Sequence, residues 1–178
     1  MRELLVIVDM QNDFVTGALA NPAAEKIVNG IRELALNFED DIAFTLDSHP
    51  GNGLYFKTQE GKNLPVEHCV VGTEGWEVVP ALADIEDEVQ NDFPKATFGS
   101  VDLGIYCKQQ KYDKIYFVGT CTDICVISNV MTVKAFCPEA EIIVFQDLCA
   151  GTTPENHQKA IDVMKICQVE VLDYEERR

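Results

Sequence analysis

The chain has 178 residues, 47% of them hydrophobic, and its 14 basic and 30 acidic residues give a formal net charge of −16. This length and apolar content predict a single folded domain over residues 1–178 and exclude a disordered chain. The negative charge excludes nucleic acid and anionic membrane surfaces as partners, because both are bound by clustered Lys and Arg.

The first part of the chain predicts two buried strands around one helix. Residues 4–8 form a continuous apolar run that ends at Asp9, and residues 42–46 form a second run that ends at Asp47. Such runs are typical of strands buried on both faces. An Asn-Pro pair at 21–22 predicts the start of the helix, since Asn caps helices and Pro fits their first turn. Its predicted buried stripe comprises Ile27, Ile31, Leu34 and Phe38.

Residues 48–73 lack periodicity and are rich in Gly and Pro, which predicts a long irregular loop. Loops of this length are more often functional than idle. The alternation of strands and helices then resumes. The predicted elements are a helical turn at 78–82, strands at 88–93, 114–118, 141–145 and 169–172, a helix at 101–109, a helix beginning near Cys125 and a helix opened by Thr153.

This alternation predicts an α/β fold with a mainly parallel sheet and helices on both faces. In such sheets the active site lies beyond the carboxyl ends of the strands. Asp9, Asp47 and the turn before Cys125 follow strand ends, and Lys95 follows the third predicted strand. We therefore expect these side chains to meet at one edge of the sheet.

Cys125 is the predicted nucleophile. It follows the strand at 114–118 and a short polar turn, and it stands where an amphipathic helix begins. The unpaired N–H groups and the positive dipole end of a helix start stabilise a thiolate. Taken singly, the residues also fit a turn cap at Asp9, a surface charge at Lys95 and a small core residue at Cys125.

The seven cysteines are odd in number and scattered along the chain. No apolar run has the length of a membrane span, and the N-terminus lacks the pattern of a signal peptide. We therefore expect reduced thiols and a cytoplasmic protein without membrane contact.

Three segments together carry a family resemblance. They read VIVDMQNDF at 6–14, PKATF at 94–98 and GTCTDICV at 119–126. In order and spacing they resemble the isochorismatase-like cysteine hydrolase superfamily, and more narrowly its nicotinamidase/pyrazinamidase branch. The resemblance implies a three-layer fold with a six-stranded parallel sheet of order 3-2-1-4-5-6. It also implies association into a homodimer or homotetramer.

The resemblance implies a catalytic triad of Asp9, Lys95 and Cys125. Asp9 would take the thiol proton and later protonate the leaving group, while Lys95 would hold Asp9 ionised and help to lower the thiol pKa. The backbone N–H groups of Cys121 and Cys125 would bind the oxyanion. The resemblance further implies a cis peptide before Cys121 and a substrate-facing aromatic side chain at Phe14.

A divalent metal is implied at Asp47, His49 and His68, because nicotinamidases carry an Asp-x-His motif and a later His at these places. Zinc, manganese or iron suits such N/O ligands. A third ligand, often His, is usual where Tyr55 stands here, and Glu60 is the alternative candidate. The usual Trp-Pro before the final His is replaced by Leu64-Pro65, which stands one residue further from that His, so an aromatic that would stack on the substrate is missing there.

Three functions remain open at this point. The first is hydrolysis of nicotinamide to nicotinate and ammonia. The second is hydrolysis of another small amide or carbamoyl compound, with the loop at 51–64 setting the substrate. The third is a catalytically silent binding module, which an intact triad disfavours. Zinc held by Cys121 and Cys125 is disfavoured because no second cysteine pair supports it. His157 is expected to be exposed.

Overall fold

Six parallel strands form one sheet in this computed structural model, which describes residues 1–174. The order is β3-β2-β1-β4-β5-β6, so the predicted sheet is confirmed. The strands are β1 Glu3–Val8, β2 Asp41–Asp47, β3 Asp92–Lys95, β4 Lys114–Thr120, β5 Glu141–Ala150 and β6 Glu170–Leu172.

Helices cover both faces of the sheet. They are α1 Asn12–Val15, α2 Pro22–Leu36, α3 Gln59–Asn63, α4 Pro80–Val89, α5 Val101–Gln110, α6 Ile127–Phe136 and α7 Pro154–Ile166. A 3-10 turn lies at Tyr55–Lys57, and a π-helical turn at Thr122–Val126 leads directly into α6. Within residues 1–174, no helix is long and apolar enough to cross a membrane.

The two faces of β1 belong to two hydrophobic clusters. Leu5 and Ile7 pack with the buried residues of α2 and α4, whereas Leu4 and Val6 pack with those of α5, α6 and α7. All four side chains are fully buried. The continuous apolar run at 4–8 therefore reflects burial on both faces, as predicted.

The predicted strand at 88–93 is wrong in its bounds. The structure continues α4 from Pro80 to Val89, where a helical turn was expected only at 78–82, and β3 begins at Asp92. Leu82 and Ile85 are the buried residues of α4, and their i, i+3 spacing supports a helix. The resulting β3 is a short edge strand, a position at which its Pro94 is tolerated.

Two further segments differ from expectation. Phe38 lies two residues beyond the end of α2, so it packs only partly buried against the cluster that contains this helix. The irregular loop at 48–73 contains the 3-10 turn and α3, and Tyr55 within it is fully buried. This loop is thus folded against the body of the protein by a buried ring.

The register of the strands brings their carboxyl ends together. Val8 pairs with Thr45 of β2 and with Gly119 of β4. Asp47 pairs with Lys95 at the end of β3. The residues that follow these positions are consequently adjacent at one edge of the sheet.

Candidate active site

Asp9 is the first residue after β1 and is fully buried. Its backbone has φ 49°, in the left-handed region that Asp tolerates better than most residues. The Asp9 N–H donates to the Thr45 carbonyl at 3.1 Å, and the Thr45 hydroxyl donates to Asp9 Oδ1 at 2.6 Å. β2 therefore fixes both the backbone and the carboxylate of Asp9.

Lys95 joins Asp9 to Cys125. Its Nζ lies 2.7 Å from Asp9 Oδ2 and 3.5 Å from Cys125 Sγ. The Lys95 side chain is 2% exposed and that of Asp9 is 0% exposed. The three residues predicted from separate strand ends thus share one hydrogen-bonded cluster.

Cys125 lies in the π-helical turn that precedes α6, so the thiol is placed at a helix start. The bond between Thr120 and Cys121 is cis, as the resemblance implied. The Cys121 carbonyl accepts hydrogen bonds from the N–H groups of Ile124 and Val126, both at 3.0 Å. Gly119 has φ 118°, and a Cβ there would clash with the Val8 carbonyl. β1 and β4 can therefore approach this closely only because residue 119 is glycine.

Burial sets the protonation of the cluster. It raises the pKa of Cys125 well above its ordinary value, and the Asp9 charge raises it further while Lys95 lowers it. Burial also raises the pKa of Asp9 against the opposing effect of Lys95. The pKa of Lys95 is raised because the negative charges of its neighbours outweigh burial. Burial and the Asp9 charge thus favour the neutral thiol over the thiolate, so the reaction calls for a base within the cluster.

A second cluster brings together the four predicted metal ligands. Asp47 Oδ2 lies 2.9 Å from His49 Nε2 and 3.2 Å from His68 Nε2. Glu60 Oε1 lies 3.5 and 3.6 Å from the same two nitrogens. All four donor atoms lie within 4.8 Å of one another.

The chemistry of these donors fits a divalent metal. Asp47 Oδ1 is buried and lacks a hydrogen-bond partner among residues 1–174, its nearest cation being Lys95 Nζ at 3.7 Å. Burial raises the pKa of Asp47, but its contacts with His49 and His68 and the charge of Lys95 outweigh burial and lower the pKa overall. His68 Nδ1 lies 2.7 Å from the Val66 carbonyl, which can only accept, so Nε2 is left for the metal. Two imidazoles and two carboxylates form a suitable set of ligands.

Tyr55 stands where the resemblance implies a third metal ligand, but its hydroxyl is engaged elsewhere. Its hydroxyl donates to the Leu64 carbonyl at 2.8 Å. Its ring packs edge-on against His49 and His68, with centroid distances of 4.9 and 5.2 Å. Tyr55 therefore supports the two imidazoles, and Glu60 is the fourth candidate donor beside Asp47, His49 and His68.

A cavity of about 380 Å³ connects the two clusters. Phe14 lies in its wall, 5.6 Å from the His68 ring between centroids. Leu64 also lines it, where an aromatic residue is usual. The remaining lining residues are Leu19, Ala20, Asn21, Pro22, Asp47, Glu60, His68, Phe98, Cys121, Ile124, Cys125 and Thr152. Cys125 and three candidate metal ligands, Asp47, Glu60 and His68, therefore face one cavity.

Sequence reasoning missed two polar residues around the site. Gln11 clamps Asp47, accepting from its N–H at 2.8 Å and donating to its carbonyl at 2.9 Å. Asn129 donates to the Cys125 carbonyl at 2.8 Å and accepts from Ser100 N–H at 2.9 Å. For Asn129, the available sequence signal was its position one helical turn after the predicted nucleophile.

The sequence-based prediction that the His157 side chain is exposed is wrong. It is half-buried, and its Nδ1 lies 2.8 Å from the hydroxyl of the buried Thr122. None of the seven cysteines, all of which lie within residues 1–174, forms a disulfide in the structure. Cys69, Cys107, Cys125 and Cys149 are buried.

Comparison with known proteins agrees with this geometry. The isochorismatase domain model matches residues 3–176. A nicotinamidase of Acinetobacter baylyi is 31% identical over 68% of this chain and 70% of its own. Nicotinamidase 1 of Arabidopsis thaliana is 31% identical over 82% of this chain and 68% of its own.

Among solved structures, the pyrazinamidase of Pyrococcus horikoshii in complex with zinc superposes with a TM-score of 0.82. It is 27% identical and covers 98% of this chain and 100% of its own. The match of the family model over almost the whole length, together with these relatives, shows that the chain belongs to the isochorismatase family, in its nicotinamidase/pyrazinamidase branch.

Proposed function

We propose that this protein hydrolyses nicotinamide to nicotinate and ammonia through a thioester on Cys125. The observation that carries the proposal is the position of Lys95 Nζ, within 2.7 Å of the Asp9 carboxylate and 3.5 Å of the Cys125 sulfur. Cys125 lines a cavity of about 380 Å³. Three of the four candidate metal ligands, Asp47, Glu60 and His68, line the same cavity. The similarity to curated nicotinamidases supports nicotinamide as the substrate.

Asp9 acts as the proton carrier. It takes the proton of the Cys125 thiol as the sulfur attacks the amide carbon and forms the C–S bond. Burial raises the pKa of Asp9, which makes it a stronger base than a solvated carboxylate. As the tetrahedral intermediate collapses, the C–N bond breaks and Asp9 returns the proton to the departing ammonia. Water then attacks the thioester, with Asp9 again as base, and releases nicotinate and the thiol.

The other residues stabilise charge. Lys95 balances the Asp9 carboxylate and lowers the pKa of the thiol against burial. The backbone N–H groups of Cys121 and Cys125 bind the oxyanion of the tetrahedral intermediate. Phe14 lines the cavity beside the substrate ring.

Asp47, His49, Glu60 and His68 would hold the metal, for which we propose zinc, with manganese or iron as alternatives. When bound, the ion would act as a Lewis acid that orients the pyridine ring through its nitrogen or through an ordered water. The assignment is supported by the cavity that Cys125 lines, because Asp47, Glu60 and His68 line it too. We further propose that residues 1–178 act as one hydrolase domain, in the cytoplasm, as a dimer or tetramer.

Ammonia release from nicotinamide tests the proposal directly. Purified protein with its metal content measured should release ammonia and nicotinate in a 1:1 ratio, and Cys125→Ala should abolish turnover. The matched control is Cys137→Ala, a half-buried thiol at the end of α6. Unchanged turnover in Cys125→Ala would refute the mechanism.

A second candidate is the hydrolysis of a different small amide or carbamoyl compound. It is favoured by Leu64, which lines the cavity where the resemblance expects a stacking aromatic. A panel of aliphatic and aromatic amides decides between the candidates through kcat/KM. A higher value for another amide than for nicotinamide would favour the second.

A further inference from the structure

A hydrogen bond joins α7 to the turn that carries the nucleophile. His157 Nδ1 lies 2.8 Å from Thr122 Oγ1, and Thr122 is fully buried. Thr122 follows Cys121 directly and stands three residues before Cys125. The bond therefore reaches the centre of the segment whose N–H groups are proposed to bind the oxyanion.

The same turn has a second connection to the chain before α7. Asp123 accepts hydrogen bonds from the Thr152 N–H at 2.8 Å and from the Thr152 hydroxyl at 2.5 Å. Thr152 in turn lines the cavity that contains Cys125. The turn is thus attached to α7 through Thr122 and to the segment before α7 through Asp123.

His157 is itself held in place by its surroundings. A Cβ on Gly151 would lie 2.6 Å from the Cβ of His157, so the two backbones meet without space for a side chain. Burial lowers the pKa of His157, with the nearby Asp123 charge opposing it. A neutral imidazole accepts at Nδ1 when its proton is on Nε2, and the Thr122 hydroxyl then donates.

We infer that His157 is a positioning residue that fixes the oxyanion-binding turn through the hydroxyl of Thr122. The inference rests on the proposed amide hydrolysis. An oxyanion exists only in the transition state and the tetrahedral intermediate, so misplacing its donors lowers kcat and leaves substrate binding nearly unchanged. His157 does not line the cavity that contains Cys125, and it acts through Thr122.

Two substitutions of His157 separate positioning from simple support. The Oδ1 of Asn takes the place of His Nδ1, whereas the polar end of Gln reaches the place of Nε2. His157→Gln should lower kcat about 10- to 100-fold, less than the roughly 100- to 1,000-fold for losing one oxyanion donor outright. KM should change less than about threefold, and His157→Asn should recover most of the loss.

A double-mutant cycle tests the route through Thr122. Thr122→Val keeps the shape and removes the hydroxyl, and it should lower kcat as much as His157→Gln. The double variant should be no worse than either single variant, because both remove one interaction. Gln158→Ala is the matched control, since its side chain bonds only to Asp162 on the same helix among the described contacts. It should leave kcat unchanged.

Binding of pyridine-3-carbaldehyde supplies a readout without turnover. The Cys125 thiol adds reversibly to the aldehyde carbon: a C–S bond forms, the S–H bond and the C=O π bond break, and the proton passes to the former carbonyl oxygen. The product is a hemithioacetal with a tetrahedral carbon, and its oxygen would occupy the oxyanion position. His157→Gln should weaken this binding about as much as it lowers kcat, and Cys125→Ala should abolish it. Equal kcat in the Asn and Gln variants, additive losses in the cycle, or unchanged aldehyde binding in His157→Gln would overturn the inference.

The assay also separates failure of the inference from failure of the proposed function. An active wild type with unaffected His157 variants would overturn the inference alone. A wild type that binds the aldehyde through Cys125 but hydrolyses no amide would refute the function, and the aldehyde affinities would still decide the role of His157. A wild type that neither hydrolyses amides nor binds the aldehyde would overturn both.

Discussion

Lys95→Met is the most informative single change, because it removes a buried ammonium while keeping an unbranched apolar side chain. Its Nζ contacts Asp9 Oδ2 at 2.7 Å, and Asp47 Oδ1 lies 3.7 Å away. The Asp9 side chain is 0% exposed, so water cannot replace the lost partner. The variant therefore leaves an uncompensated carboxylate in the protein interior.

The expected cost follows from this burial. Breaking a buried pair by removing one partner costs about 3–5 kcal/mol in the free energy of unfolding. Lys159 and Glu155 form a pair of the same length, 2.7 Å, but their side chains are 66% and 78% exposed. Such exposed pairs contribute at most about 1 kcal/mol. Lys159→Met is therefore the matched control, and the two variants should differ by at least about 2 kcal/mol.

The loss should also depend on pH. Burial raises the pKa of Asp9 even in the presence of Lys95, and removing Lys95 raises it further. A carboxyl group whose folded pKa exceeds its unfolded value binds more protons in the folded state. The contribution of such a group to the free energy of unfolding is therefore greatest below its unfolded pKa, and it is lost as pH rises towards the folded pKa. Lys95→Met should consequently be less destabilised at pH 5 than at pH 8.

Urea unfolding at pH 5 and pH 8 measures both effects, and ammonia release from nicotinamide measures the catalytic loss. We expect kcat to fall about 100- to 10,000-fold, the range for a disabled proton-transfer group. A destabilisation below about 1 kcal/mol at pH 8, equal to that of Lys159→Met, would refute the reasoning. So would a larger destabilisation at pH 5 than at pH 8.

Three further predictions concern the metal, the substrate and the surface. His68→Ala should reduce the bound metal, measured by elemental analysis, at least tenfold. Tyr55→Phe keeps the ring against the imidazoles and should retain the metal. Equal metal contents in the two variants would contradict the proposed ligands. Leu64→Trp should lower the KM for nicotinamide about 2- to 10-fold through ring stacking, and an unchanged or higher KM would show that Leu64 does not face the ring. Burial raises the pKa of Glu86 to about 7, and the negative charges of Asp92, Asp87 and Glu77 raise it in the same direction. The contribution of Glu86 to the free energy of unfolding is therefore lost as pH rises from about 4.5 to 7. Glu86→Gln should therefore raise Tm at pH 8 and leave it unchanged at pH 4, and equal shifts at both pH values would count against this.

Local patterns were sufficient for much of the architecture. The apolar run at 4–8 predicted β1 because burial on both faces requires consecutive apolar residues. Asn21 was predicted as a cap, and its side chain accepts from the Ala23 N–H at 3.0 Å. The bounds of β3 were wrong because residues 88 and 89 continue a helix whose start at Pro80 was recognised only as a turn.

Some residues of the candidate site were likewise identifiable from the sequence, and others were not. Asp9, Lys95 and Cys125 were identifiable because each stands at a strand end or helix start and carries reactive chemistry. His157 was not, because its partner Thr122 is 35 residues away in the chain. A polar residue in a polar helix start looks solvated until tertiary packing supplies the contact.

By itself, the sequence determined the alternation of strands and helices, the sheet they form and the residue types available for nucleophile, base and metal ligands. Tertiary structure alone decided that Glu60, on a short helix inside an aperiodic loop, lies beside Asp47, His49 and His68, while the Tyr55 ring packs against the two imidazoles. It also decided the 3.5 Å approach of Lys95 to Cys125. The physical reason is that periodicity encodes which face of each element is buried, whereas the distance between side chains from different elements depends on strand register and on how the intervening loops pack.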